Sequence, residues 1–158
     1  MDSTKAVPKY DSTGDTIEHI RTVKSFLGRV ISCLEHRGLH HDASKFGSPE
    51  KEGFDEWTPK LAGSTYGSKE YAGMLESLKP ALDHHYQHNR HHPEYHGDAG
   101  VRGMSLIDLI EMVCDWKADT MRHDDGDIRR SLVINTKRFN IDPAVAQLLE
   151  NTINAMGW

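Results

Sequence analysis

From Asp15, apolar residues recur at Ile17, Ile20, Val23, Phe26, Leu27, Val30, Ile31 and Leu34, the three-or-four spacing of one helix face. Asp15 is a plausible cap at its start and Gly38 a stop at its end. The preceding residues, Met1 to Gly14, hold Pro8, Gly14 and several Ser and Thr with no apolar period, which predicts a flexible arm over 1–14 and a domain over 15–158. A short helix is expected to begin at His41-Asp42 and to be interrupted by Gly47 and Pro49. Phe54 to Ser68 mixes Trp57 and Tyr66 with Gly, Pro and Ser, and is read as a loop that either covers a substrate as a lid, the favoured reading, or packs on the core as a hydrophobic flap. The next helix is predicted from Ser68, with Tyr71, Leu75, Leu78 and Leu82 on one stripe, bent or split at Pro80 and ended near His92 by Pro93.

After a Gly-rich turn over 97–103, Ser105 and Asp108 form a capping-box-like start. The helix that follows carries Leu106, Leu109, Ile110, Val113, Trp116 and Met121, which leave little of it polar. Two more helices are predicted: Ile128 to Phe139, and one opened by Asp142-Pro143 with Val145, Leu148, Leu149, Ile153 and Met156 turned inward. The fold class is therefore all-α, a compact single-domain helical bundle.

Length and charge narrow this picture. A chain of 158 residues is long enough to bury one core without disulfides. Cys33 and Cys114 both lie in apolar helical patterns and are read as small core residues of a cytoplasmic, reducing compartment. No charged-then-apolar leader and no apolar run near ~18 residues is present, so neither export nor a membrane span is expected. The net charge of −5 argues against a nucleic-acid polymer as partner, because such binding displaces counterions with a basic patch.

Histidine is the compositional outlier: of 11 in the chain, six fall between His84 and His96, a density that reads as metal binding. On a helix, His85, His88 and His92 would share one column, and His84, His88 and His91 the next. Leu39 to Phe46, L-H-H-D-A-S-K-F, sets an imidazole beside a carboxylate with Lys45 three positions on. That is a mixed nitrogen and oxygen ligand pair with a point charge available to a phosphate. His19 borders the apolar stripe of the first helix, as a ligand would. Asp108, Glu111, Asp115 and Asp119 form a carboxylate column on a mostly apolar helix, which a divalent cation would compensate. Glu50 is an acid/base candidate or a partner for a ligand histidine. His123-Asp124, a second such pair, sits in a polar turn and is set aside.

The order His19, His41-Asp42, Asp115 resembles the signature of the HD-domain superfamily of metal-dependent phosphohydrolases. L-H-H-D-A-S-K-F followed by S-P-E, then H-H-Y-Q-H-N-R-H-H-P-E-Y, then I-E-M-V-C-D-W, is similar to a group of small phage and bacterial proteins of unassigned function sharing H-D-x-S-K-F, N-x-H-H and E-M-x-x-D-W. The resemblance implies an HD-type bundle in which His19, His41, Asp42 and Asp115 bind metal and Lys45 faces a phosphate. One nucleotidase branch carries a catalytic Glu where this chain has Lys45, so Glu50, Glu111 or a tract histidine is left to act as acid or base. His84, His85, His88, Asn89, His91 and His92 are candidates for a second metal or for phosphate binding, as in two-metal members.

The expected activity is hydrolysis of a nucleotide or other small phosphoester by metal-bound hydroxide. The expected cofactor is one divalent transition metal, Mn, Fe, Zn, Co or Ni, with two ions as the variant. Lys45, Arg90 and protonated histidines would draw the anion despite the net negative charge. Rival readings are a di-iron oxygenase using His85 and His92, and a non-catalytic protein that sequesters metal or nucleotide. The setting is the cytoplasm, a host's if phage-encoded, and a homodimer is compatible with it.

Overall fold

The computed structural model describes residues 10–62, 69–122 and 126–158, and among them every regular element is helical, with no strand. In chain order the α-helices are α1 (Thr13–His40), α2 (Glu50–Ala62), α3 (Lys69–His88), α4 (Leu106–Thr120), α5 (Ile128–Arg138) and α6 (Pro143–Ala155). Two 3-10 segments join them, Ala43–Phe46 and Pro93–Gly103. The all-α expectation is met.

Contacts divide the chain into two units, Met1–His36 and Arg37–Trp158. The described residues of the first unit carry one helix, α1. It starts at Thr13, whose backbone N–H donates to Asp11 Oδ1 at 3.0 Å, so Asp11 takes the capping role expected of Asp15. A single helix has nothing of its own on which to bury a face, and Ile17, Ile20, Val23, Phe26, Leu27, Val30 and Ile31 are all exposed. Cys33 is exposed too.

The second unit holds the core. Met112, Val113 and Trp116 of α4, Ile128 and Leu132 of α5, Leu149 and Ile153 of α6, with Val101 and Ile141 from the connections, form one apolar cluster. Complete burial of a side chain such as Ile153 contributes about 1.5–3 kcal/mol, and the nine side chains of this cluster together supply the main driving force of the unit. The caps fall where the sequence places them. Ser105 and Asp108 close a reciprocal capping box, Asp127 accepts from Arg129 and Arg130, and Asp142 accepts from Ala144 ahead of α6. Some residues expected inside are not: Leu106, Met121, Leu148 and Met156 are exposed, as is Cys114, because each helix offers the core a narrower stripe than its apolar content suggests.

The expected loop over 54–68 is a helix as far as Ala62. α2 packs against α3, and Gly53 permits the approach, since a β-carbon there would meet Ala81 Cβ at 2.6 Å. Phe54, Trp57 and Leu61 then recur along one side, an apolar spacing that Pro59, inside the helix, does not interrupt. Tyr66, the start expected at Ser68, the arm over 1–9 and His123-Asp124 lie outside the described residues. α3 runs through Pro80 and stops at His88, one turn before the expected end at His92. His92 is extended (φ −91°, ψ 131°), as the residue before Pro93 is constrained to be. Gly97 and Gly100, at φ 55° and 49°, then break the second 3-10 segment into turns that only glycine adopts freely.

Candidate metal centre

All the residues of the centre belong to the second unit, and its geometry begins at Asp42. This residue is left-handed (φ 56°, ψ 19°), a conformation Asp tolerates better than most side chains. It turns the chain from the end of α1 into Ala43–Phe46. Its Oδ2 accepts from Lys45 Nζ at 2.6 Å. Its Oδ1 is buried without a hydrogen-bond partner, 3.3 Å from His85 Nε2 and 3.4 Å from His91 Nε2. His91 Nε2 is likewise buried and unpartnered. Two orphaned ligand atoms, one carboxylate oxygen and one imidazole nitrogen, face each other where an unpaired polar atom is costly.

Two glutamates, Glu50 buried and Glu111 nearly so, set the orientation of the imidazoles. Glu50, fully buried at the start of α2, has Oε1 2.6 Å from His84 Nδ1 and Oε2 2.8 Å from His85 Nδ1, and Ser44 Oγ donates to Oε2 at 2.9 Å. Asn89 Nδ2 in turn donates to Ser44 Oγ at 2.7 Å and to the His85 carbonyl at 2.8 Å, closing the end of α3. Glu111 of α4 has Oε1 3.0 Å from His41 Nδ1 and 3.3 Å from His91 Nδ1, while Arg37 donates to Oε2 through Nε at 2.6 Å. Carboxylates that occupy Nδ1 of His41, His85 and His91 leave Nε2 of each for a ligand, the usual support of metal-binding histidines.

The Nε2 atoms converge. One group, Asp42, His85, His91 and His92, and a second, His41, His91 and Asp115, each offer ligand atoms within 4.8 Å of one another. His85 Nε2 and His92 Nε2 are 2.8 Å apart, and His41 Nε2 lies 3.3 Å from Asp115 Oδ1. The donor set of imidazoles and carboxylates suits Zn, Fe, Mn, Co or Ni rather than Mg or Ca, which prefer oxygen alone.

Burial, reinforced by His91 and His85, pushes His92 down to about 3, so it is neutral and able to donate its lone pair. Burial lowers His85 as well. Hydrogen bonds to Asp115 and then Glu111 raise His41 to about 10. Burial opposes the charge on Glu111, but contacts with His41, His91 and Arg37 outweigh it and hold the carboxyl well below its usual range. Asp42 and Asp115 are also lowered against the effect of burial, by Lys45 and by His41 respectively.

These shifts set the pH response of the metal-free protein. His41 binds its proton more tightly folded than unfolded, so its contribution is complete below its ordinary value of 6.5 and is lost as pH rises toward about 10. His92 binds its proton less tightly folded, so its contribution is complete above 6.5 and is lost as pH falls toward about 3. Unfolding of chelator-treated protein should therefore show its highest midpoint near pH 6.5. A midpoint that climbs steadily from pH 6 to 9 would contradict the surroundings of His41.

The carboxylate column is compensated in part by arginine. Asp108 meets Arg37 at 3.0 Å and Arg90 at 3.2 Å; burial works against its charge, yet Arg90 and Ser105 hold it at about 2. Arg90 is thereby paired with Asp108, as Lys45 is with Asp42. Of the other expected residues, Lys45 pairs with Asp42 and lies 5.0 Å from the Phe54 ring centroid. His84 is held by Glu50, and His88 is exposed, stacked on His84 and bonded to its carbonyl. His19 is exposed in the first unit and is in neither ligand group. The single histidine column is replaced by one helical residue, His85, and two from the turn, His91 and His92. Arg37 and Ser44 were missed; Arg37 lies one helical turn before His41, a spacing that links it to the dyad.

A family model described as Family of unknown function (DUF5662) matches residues 9–155. No curated protein and no solved structure matches the chain.

Proposed function

We propose that this chain, which belongs to that family of unknown function, is a metal-dependent phosphohydrolase acting on a small phosphoester. The observation that carries the reading is the pair of buried, unpartnered atoms Asp42 Oδ1 and His91 Nε2, set among imidazoles whose other nitrogens are already held by Glu50 and Glu111. Asp42, His85, His91 and His92 would hold the ion, with His41 and Asp115 beside it. His91 belongs to both groups and has only Nε2 left to give, which favours one ion at a time over two full sites. A divalent ion in such a site supplies Lewis-acid polarisation of a phosphoryl oxygen and acidifies water.

The chain's own residues do the rest. Lys45 places an ammonium beside the centre, where it neutralises phosphate charge. Glu50 and Glu111 act by orienting histidines rather than by meeting substrate, which is one of the two roles expected of Glu50 and a revision of the acid or base role expected of Glu111. A bound cation, with Lys45 and the exposed part of Arg90, would provide the attraction for an anion.

The test is elemental analysis of protein purified without chelator, followed by turnover of a phosphoester panel with Mn, Zn, Fe or Co. We expect stoichiometric metal, phosphate release that chelator abolishes, and loss of both in His91→Ala. Bound iron with an oxygen-dependent product would favour an oxygenase, and metal without turnover a sequestering protein.

A further inference from the structure

A cavity of about 200 Å³ opens beside the candidate centre, with His92 and Asp115 in its wall. Its far side is built by α5, a helix to which the sequence assigns no chemistry. Ser131, Asn135 and Arg138 come from that helix, Asp119 from α4, and Tyr86 and Phe139 add aromatic surface. We propose that this cavity seats the organic part of the phosphoester, and that this part is a hydroxyl-rich body of sugar size without a nucleobase. The inference rests on the phosphohydrolase reading and narrows its substrate class.

Size is the first argument. Sites for drug-sized ligands run to about 300–1,000 Å³. At about 200 Å³ this cavity lies below that range, on the scale of a pentose or hexose. Chemistry is the second. Asn135 Nδ2 lies 3.3 Å from Ser131 Oγ, so an amide and a hydroxyl, each both donor and acceptor, stand side by side. Asp119 adds a carboxylate that accepts only. That acceptor, paired with Arg122 at 3.4 Å, suits neutral hydroxyl donors. Arg138 is paired with Glu94 at 3.0 Å and lies over the Phe139 ring, so its charge is already met and it serves the cavity as a donor rim. The arrangement puts anion recognition at the His and Asp end and neutral hydrogen bonding at the α5 end.

Calorimetric binding to the Mn-loaded protein tests this without requiring turnover. The probes are inorganic phosphate, ribose 5-phosphate, glucose 6-phosphate and AMP. A sugar phosphate should bind more tightly than both inorganic phosphate and AMP. Asn135→Leu, which removes the amide and fills the space, should weaken the sugar phosphate relative to inorganic phosphate by about tenfold, the scale of one or two lost hydrogen bonds. Ser131→Val should act in the same direction and serves if the first variant folds poorly. AMP binding as tightly as either sugar phosphate, no binding of either sugar phosphate to the wild type, or an unchanged ratio in the variants overturns the proposal. The phosphohydrolase reading fails separately, by absence of phosphate release from every ester tried while binding is still measured.

Discussion

Glu111→Gln is expected to weaken metal binding by about 10- to 100-fold, the usual effect of removing a carboxylate that supports ligand histidines. Glu111 is nearly buried and shares its two oxygens among His41, His91 and Arg37. A glutamine has one acceptor in place of two, and its amide hydrogens would face either an imidazole N–H or the guanidinium. Breaking a buried pair by removing one partner costs about 3–5 kcal/mol. The lower end applies here because Arg37 retains Asp108 at 3.0 Å. The measurement is metal affinity by competition with a chromophoric chelator, together with denaturant unfolding of the metal-free variant. A general acid or base at this position would behave differently: turnover would disappear while metal affinity and stability stayed at wild-type values, and that pattern would refute the positioning role.

The same residue shows how far the sequence is readable. The carboxylate column at Asp108, Glu111, Asp115 and Asp119 is visible as helical spacing, but where the sequence reading expects a divalent cation to compensate it, Arg37 and Arg90 face Asp108 and Arg37 faces Glu111. Which arginine faces which acid is not legible, because it depends on how the last turn of α1 meets α4, a long-range contact with no local signature. His41, Asp42, His85, His91, His92 and Asp115 were all among the expected residues, yet their grouping came out differently. The helical column assumed that α3 continued to His92, whereas Asn89 closes the helix early by bonding the His85 carbonyl, and His91 and His92 return on the turn. The loop expected over 54–68 failed for a similar reason. Gly53 and Pro59 look like breakers in isolation, but Gly53 is a packing device against Ala81 and the helix tolerates Pro59 near its end. The first helix is the clearest case of a local reading that holds while its tertiary corollary does not: α1 forms as its period predicts, and its apolar stripe is exposed.

Asp42→Asn is expected to abolish metal binding while preserving the fold, because Asn, like Asp, accepts the left-handed backbone at this position. The variant loses the anionic Oδ1 that faces His85 and His91, and Lys45 loses a charged partner. The second loss is small, since Lys45 is about one-third exposed and pairs of that kind are worth at most about 1 kcal/mol. Offsetting it, an unpartnered buried carboxylate oxygen has gone, so the metal-free variant should unfold within about 1 kcal/mol of the metal-free wild type. The difference appears on adding metal. A ligand that binds only the native state stabilises by about 2.7 kcal/mol at a hundredfold excess over Kd, which the wild type should show and Asp42→Asn should lack. Asp42→Ala separates the backbone from the ligand role: it should also lack the metal effect, and in addition lose about 1–2 kcal/mol without metal because alanine resists the left-handed turn. An Asn variant that gains as much from metal as the wild type would remove Asp42 from the ligand set, and with it the geometric basis of the centre.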